Sequence, residues 1–155
     1  MKVKKSELKL VDFYLLEHHF LVNNPEDEED SNIDDVEALF DDYKIDIDFT
    51  HRDIEEDLFQ AFVVIKVNDV KNKKMGYSLN LTGVANFKLD PKIAATDKSA
   101  YDNLKHFSTV NIVINHLRNV IGLTTAFAPL GRYNLPAIDI SDLFKQKIKE
   151  QRKKK

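Results

Sequence analysis

Residues 77–89, YSLNLTGVANFKL, alternate apolar and polar side chains with a period of two. A strand turns successive side chains to opposite faces. Tyr77, Leu79, Leu81, Gly83, Ala85, Phe87 and Leu89 therefore share one face, and Ser78, Asn80, Thr82, Asn86 and Lys88 the other, with Val84 the one exception. A chain with this segment must cover one face of a sheet and leave the other wet, which is the pattern of antiparallel sheets. YKIDIDFTH (43–51) repeats it, with Tyr43, Ile45, Ile47 and Phe49 inward and Lys44, Asp46, Asp48 and Thr50 outward. LFQAFVVIKVNDV (58–70) is apolar on both faces and β-branched, as a central strand requires, and the following VKNKKMG supplies a turn into the next strand. LKLVDFYLLEHHFLV (8–22) is rich in aromatics and ends at Asn23, Asn24 and Pro25, which predicts a long first strand.

After Pro91 the period changes. Leu104, Phe107, Val110, Ile114, Leu117 and Ile121 recur at intervals of three and four, with Val113 and Val120 widening the stripe, so a long amphipathic helix follows the four strands. Pro129 and Gly131 end it near residues 125–128. A second, short helix opens with Asp139 or Ser141 as its N-cap and carries Leu143, Phe144 and Ile148 on one side. The fold class is thus α+β: a four-stranded antiparallel sheet, a long helix, a proline-containing crossover connector and a short C-terminal helix, in one domain spanning 1–155. The acidic loop 24–42 and the basic tail 150–155 are expected to be solvated and mobile, because runs of like charge cannot bury enough surface to order themselves.

The connector RYNLPAIDI is too apolar for an ordinary surface loop and too interrupted for a helix. Either it packs over the protein's own sheet or an oligomer interface, or it offers apolar surface to a partner, since contiguous exposed apolar patches usually mark binding sites.

Catalytic and metal chemistry find no foothold. The chain has no cysteine, which removes thiolate ligands, thiol nucleophiles and disulfides and fits a cytoplasmic protein. The five histidines include no pair at i, i+3 or i, i+4; His18 and His19 should lie on opposite strand faces, and His106 and His116 are too far apart along a helix to share an ion. Asp46 and Asp48 point the same way on their strand, a spacing open to acid–base work, yet Lys44 and Thr50 complete an ordinary wet face there. Glu26 to Asp30 lack the spaced ligands and glycine of a calcium loop, and no glycine-rich phosphate loop or nucleophile elbow is present. No enzyme activity, cofactor or metal is expected. The KIKEQRKKK tail carries no interleaved aromatics and the net charge is −3, so nucleic acid is not expected as a partner. MKVKKSELKL is interrupted by Ser6, Glu7 and Lys9, unlike a signal peptide, and no stretch is long and apolar enough for membrane insertion.

VNIVINHLRNVIGLTTAFAPLGRYNLPAIDISDLFKQKI, with its long helix, proline-bearing connector and second helix opening at SDLF, resembles the SecB family of bacterial export chaperones. YKIDIDF, FQAFVVIKV and LTGVANF echo the family's second, third and fourth strands, and the likeness runs from about residue 8 to residue 148. The resemblance implies a homotetramer built as a dimer of dimers, binding unfolded or nascent polypeptides without nucleotide, for protein export. It implies an apolar groove wall made by Phe127, Leu130, Tyr133, Leu135, Pro136, Ile138, Ile140, Leu143 and Phe144. Family members that serve the translocase dock the SecA motor through carboxylates on the outer sheet face and a C-terminal tail. Here Glu17 is the candidate docking carboxylate, residues 77–87 contain none, and the tail is basic. SecA is therefore open as a partner. A dedicated SecB-like chaperone of a toxin–antitoxin or mobile-element system, or an oligomeric scaffold without chaperone activity, stands as the alternative.

Overall fold

The computed structural model describes residues 1–2, 5–23 and 36–153. Among these, strands β1 (Lys9–Asn23), β2 (Ile45–Asp53), β3 (Leu58–Val67) and β4 (Gly76–Lys88) form an antiparallel sheet in the order β1-β4-β3-β2. The four expected strands are all present, and the expected central strand is central: β3 pairs with β2 on one side and β4 on the other. Every second residue of β3, namely Phe59, Ala61, Val63, Ile65 and Val67, is buried under the helical layer. Their neighbours are half-exposed on the outer face.

β1 carries two register shifts, between Leu10 and Asp12 and between Leu15 and Glu17. Bulges of this kind reset which residues face inward. Phe13, His18 and Phe20 lie opposite Ala85, Leu81 and Leu79 on the covered face, whereas Glu17 and His19 lie opposite Thr82 and Asn80 on the outer one. The two adjacent histidines do part company: His18 is hydrogen-bonded to Thr124 at 3.2 Å, and His19 to Glu17 at 2.9 Å.

The covered face is capped by α4 (Thr109–Thr125), whose Val110, Val113, Ile114, Leu117 and Ile121 have no exposure. Gly83 allows the close approach, since a Cβ there would lie 2.9 Å from both Leu117 and Phe13. The helical run departs from the expected single stripe. It begins as α2 (Lys92–Thr96) and α3 (Lys98–Asp102), the latter capped by Asp97, whose Oδ1 accepts from Ala100 N at 2.9 Å. A π-helical turn, Asn103–Ser108, then leads into α4. The wider turn rotates Phe107 away from the sheet, so it remains 38% exposed and stacks on Phe144 at 4.2 Å.

Part of the stretch expected as an acidic loop is helical: α1 (Val36–Asp41) packs Leu39 and Phe40 against the core. The remainder of that stretch, 24–35, lies outside the described residues. At the other end α5 (Ile140–Lys153) extends through 150–153 of the basic tail, with 154–155 outside the described residues.

The β3–β4 hairpin is organised by buried Asn68, which holds φ +50 and donates to the carbonyls of Lys74 and Tyr77, both at 2.8 Å. Next to it Gly76 adopts φ +98, and a Cβ there would come within 2.1 Å of Tyr43 Oη. That hydroxyl donates to Met75 O at 3.0 Å and accepts from Tyr77 N at 2.7 Å. Gly76→Ala combines backbone strain with loss of these bonds, and should lower the free energy of unfolding by about 2–4 kcal/mol in urea titrations.

Candidate polypeptide-binding site

The connector, residues 126–139, opens in turns, with Ala128 N donating to Thr125 O at 3.0 Å and Gly131 N to Ala128 O at 2.9 Å, but beyond Gly131 it joins no helix or strand and its polar backbone needs other partners. Three side chains provide them. Tyr77 Oη donates to Gly131 O at 2.9 Å and accepts from Leu130 N at 2.8 Å. Thr125 Oγ1, which donates to Ile121 O within α4, accepts from Tyr133 N at 2.9 Å. Arg118 donates from Nε to Leu135 O and from Nη2 to Pro136 O, each at 3.1 Å. After the turns at 126–130 a strap without regular secondary structure thus runs to the start of α5. Asp139 settles the choice of cap: its Oδ1 accepts from Asp142 N and its carbonyl from Leu143 N, both at 3.0 Å.

The strap divides the nine residues expected to wall a groove. Tyr133 and Leu135 point inward and are 2% and 3% exposed. Leu130, Ile138, Ile140, Leu143 and Phe144 are half-buried against the core. Pro136 is exposed, and Phe127, at 98%, is bare. Glu17 is on the outer sheet face, hydrogen-bonded to His19 and accepting from Thr82 at 3.3 Å.

Between the strap and α1 lies an open groove of about 580 Å³, lined by Phe40, Tyr43 and Ile45 on one side and Leu130, Tyr133 and Pro136 on the other, with Glu37 and Asp41 of α1 and Arg132 and Asn134 of the strap adding charge and polarity along its walls. Its floor is aromatic. Tyr43 and Tyr133 have ring centroids 5.6 Å apart, and Phe40 meets Tyr133 edge to face at 5.2 Å. Burial raises the pKa of Tyr133 to about 12, with Tyr43 and Asp41 adding to it, so the phenol is neutral and a donor. Its Oη is buried and has no hydrogen-bond partner among the described residues. Sequence reasoning missed Phe40, Tyr43 and Tyr77 as site residues. The inward faces of their strands were legible, but their convergence at one end of the sheet with a residue far along the chain was not.

The start of α5 makes a second aromatic cluster, where the Phe144 ring lies 4.4 Å from Phe49 and 4.2 Å from Phe107. Lys147 closes it, ion-paired with Asp48 and 5.7 Å over the Phe49 ring. The Asp46–Asp48 pair weighed for acid–base chemistry is thereby split, because Asp48 is engaged by α5. Alongside, His51 of β2 meets His106 of the π-turn edge to face at 5.0 Å and is hydrogen-bonded to Thr109 Oγ1 at 3.0 Å, a juxtaposition that spacing within single elements could not reveal. Lys105 is near both rings and ion-pairs with Asp53 at 2.7 Å.

Comparison with solved structures supports the fold. The chain is similar to the Mycobacterium tuberculosis SecB-like chaperone Rv1957, solved in complex with a ChAD peptide from the HigA1 antitoxin Rv1956. The TM-score is 0.53 and the identity 12%, covering 85% of this chain and 88% of that one. It is also similar to a protein of unknown function from Streptococcus agalactiae, with TM-score 0.51, identity 10%, and coverage of 84% and 97%. No protein-family model and no curated protein sequence matches the chain. The α+β architecture is therefore a SecB-like fold, related to its neighbours in structure at very low sequence identity.

Two tyrosines make opposite predictions. Tyr77→Phe leaves Leu130 N unpaired and should cost about 1–3 kcal/mol in chemical denaturation, with faster amide exchange at Leu130. Tyr133→Phe removes a hydroxyl that has no partner, and should be neutral or stabilising by up to about 1 kcal/mol.

The histidine pair sets a pH dependence. Burial, then His106 and Lys105, lower His51 to about 4 against the opposing pull of Asp53. Burial and Lys105 also lower His106, opposed by Asp102 and Asp53. Unfolded histidines titrate near pH 6.5, so below that value the unfolded chain binds more protons. Stability from the pair is complete above about pH 6.5 and is lost as the pH falls toward about 4. Thermal unfolding of His51→Gln, which keeps a donor for Thr109, should show a flatter profile across that window.

Proposed function

We propose that this protein is a molecular chaperone that holds unfolded polypeptide segments, without nucleotide, in the groove between α1 and the connector. The observation that carries the reading is the groove itself: an aromatic floor beneath an extended strap on a SecB-like fold, continuous in sequence with the bare Phe127. A groove of this kind suits extended chains of varied sequence. Each aliphatic contact contributes about 1.5–3 kcal/mol by removal from water, and edge β2 offers backbone groups that no particular side chain is needed to use. Unfolded or nascent polypeptides are the expected clients, and the site requires no cofactor, metal or catalytic group.

A dedicated client is favoured over general export. On the outer face of β4, Asn80, Thr82 and Asn86 are half-exposed and Ser78 and Val84 buried, with no carboxylate among them; Glu17 is engaged by His19 and Thr82, and Asp12 accepts from Asn86 at 2.6 Å, which leaves little for a SecA-type motor to grip. The structural neighbour from M. tuberculosis is held with a peptide from an antitoxin, which supports the same choice. Self-association, as a dimer or a dimer of dimers, is part of the reading. β1 is an edge strand exposing Val11, Leu16, Leu21 and Val22 by half or more, too much apolar surface for a solitary protomer. A scaffold without client binding remains the competing outcome. No described helix is long and apolar enough to cross a membrane.

Purified protein should suppress aggregation of a chemically denatured client at near-stoichiometric ratio. Leu130→Ser should weaken binding of a labelled unfolded polypeptide by roughly tenfold or more, while thermal unfolding stays two-state and the solution mass is unchanged. Binding of wild-type strength by the variant would place the clients elsewhere, and absence of any client binding by the wild type would leave the scaffold.

A further inference from the structure

The Phe40 ring lies among three tyrosines. Its ring centroid is 5.6 Å from Tyr43, 5.5 Å from Tyr77 and 5.2 Å from Tyr133, the last edge to face. Those three tyrosines come from the entry to β2, from β4 and from the connector, so they form a three-sided cage. α1, which delivers Phe40, is six residues long and has no buried residue, far below the length at which a helix holds itself together. Leu39 approaches the backbone at Gly76, and Asp42, just beyond α1, pairs with Lys74 at 2.6 Å across exposed surface, where an ion pair contributes little. Meanwhile the Tyr133 hydroxyl, in a residue 2% exposed, is without a partner among the described residues, although buried phenols ordinarily have one. The cage is occupied by the chain's own ring, and its one free polar atom is unused.

We propose that α1 is an internal stand-in for the client: an unfolded segment displaces it, seats its own aromatic ring among Tyr43, Tyr77 and Tyr133, and accepts a hydrogen bond from Tyr133 Oη at a backbone carbonyl. This rests on the chaperone reading and adds to it a gate and a side-chain preference. With the stand-in seated, the cage is closed to chance apolar contacts. A client binds only when its own contacts exceed those of Leu39 and Phe40, and its apparent affinity is reduced by the fraction of molecules in which the cage is open. Clients are then ranked by whether they carry an aromatic residue next to a free carbonyl, and a segment with only aliphatic residues leaves the cage to α1.

The test uses fluorescence anisotropy of a fluorescein-labelled, unstructured, phenylalanine-containing peptide with the full chain. Phe40→Ala should bind it about tenfold more tightly than wild type, and Tyr133→Phe several-fold more weakly without any loss of thermal stability. Because the chain has no tryptophan, Phe40→Trp supplies a single reporter whose emission should move to longer wavelength as the peptide saturates the protein. Equal or weaker binding by a folded Phe40→Ala overturns the gate, as does a Phe40→Trp emission that stays fixed while the peptide binds; in either case the chaperone reading stands. No binding by wild type or any variant sinks the chaperone reading, and the gate with it.

Discussion

The arrangement depends on how the polar backbone of residues 126–139 is satisfied without becoming helix or strand. An apolar segment drawn across a sheet in extended form would bury amides and carbonyls with no ladder to join. Tyr77, Thr125 and Arg118 solve this from three directions: one from the sheet, two from α4. Each reaches past its own element to a backbone group, so the strap is fixed to the core at points that leave the spaces between free. The groove opens between this strap and α1. Were the connector to satisfy its own hydrogen bonds as a helix, Tyr133 and Leu135 could not both turn inward while Pro136 stays outside.

The two sheet faces divide the labour. The covered face is closed by α4 so tightly that Gly83 is required beneath Leu117, and the result is a dry core of β-branched and aliphatic residues. Phe59 and Phe87 stack within it, and further aromatic residues gather in two clusters, Phe40, Tyr43, Tyr77 and Tyr133 in one and Phe49, Phe107 and Phe144 in the other. Rings at a margin combine a large apolar surface with hydroxyls that can reach backbone or solvent, which suits a boundary between core and groove. The edge strand β1 is the third unfinished surface, with apolar residues exposed along both sides of its bulges.

Much of this is legible in the sequence. The alternation in residues 77–89 and 43–51, the doubly apolar run after residue 58 and the change of period beyond Pro91 mark the strands, the long helix and the fold class. Proline and glycine marked the end of α4 correctly, and the N-cap of α5 was narrowed to two residues, one of which makes the bonds. Within the acidic stretch the charges outnumber and mask two apolar residues, Leu39 and Phe40, that find the core from a six-residue helix. Phe107 misled because a π-turn inserts extra winding that a regular period cannot register.

Sequence by itself determined which segments become strands and helices and which face of each is apolar, because those follow from the geometry of a few adjacent residues. Only the tertiary structure decided what the connector means. Whether Tyr133 faces a client, a neighbouring ring or the core depends on Tyr77, Thr125 and Phe40, which lie 56, 8 and 93 positions away along the chain. Periodicity carries no information about such contacts, since it records which way a side chain points from its own element and not what stands opposite.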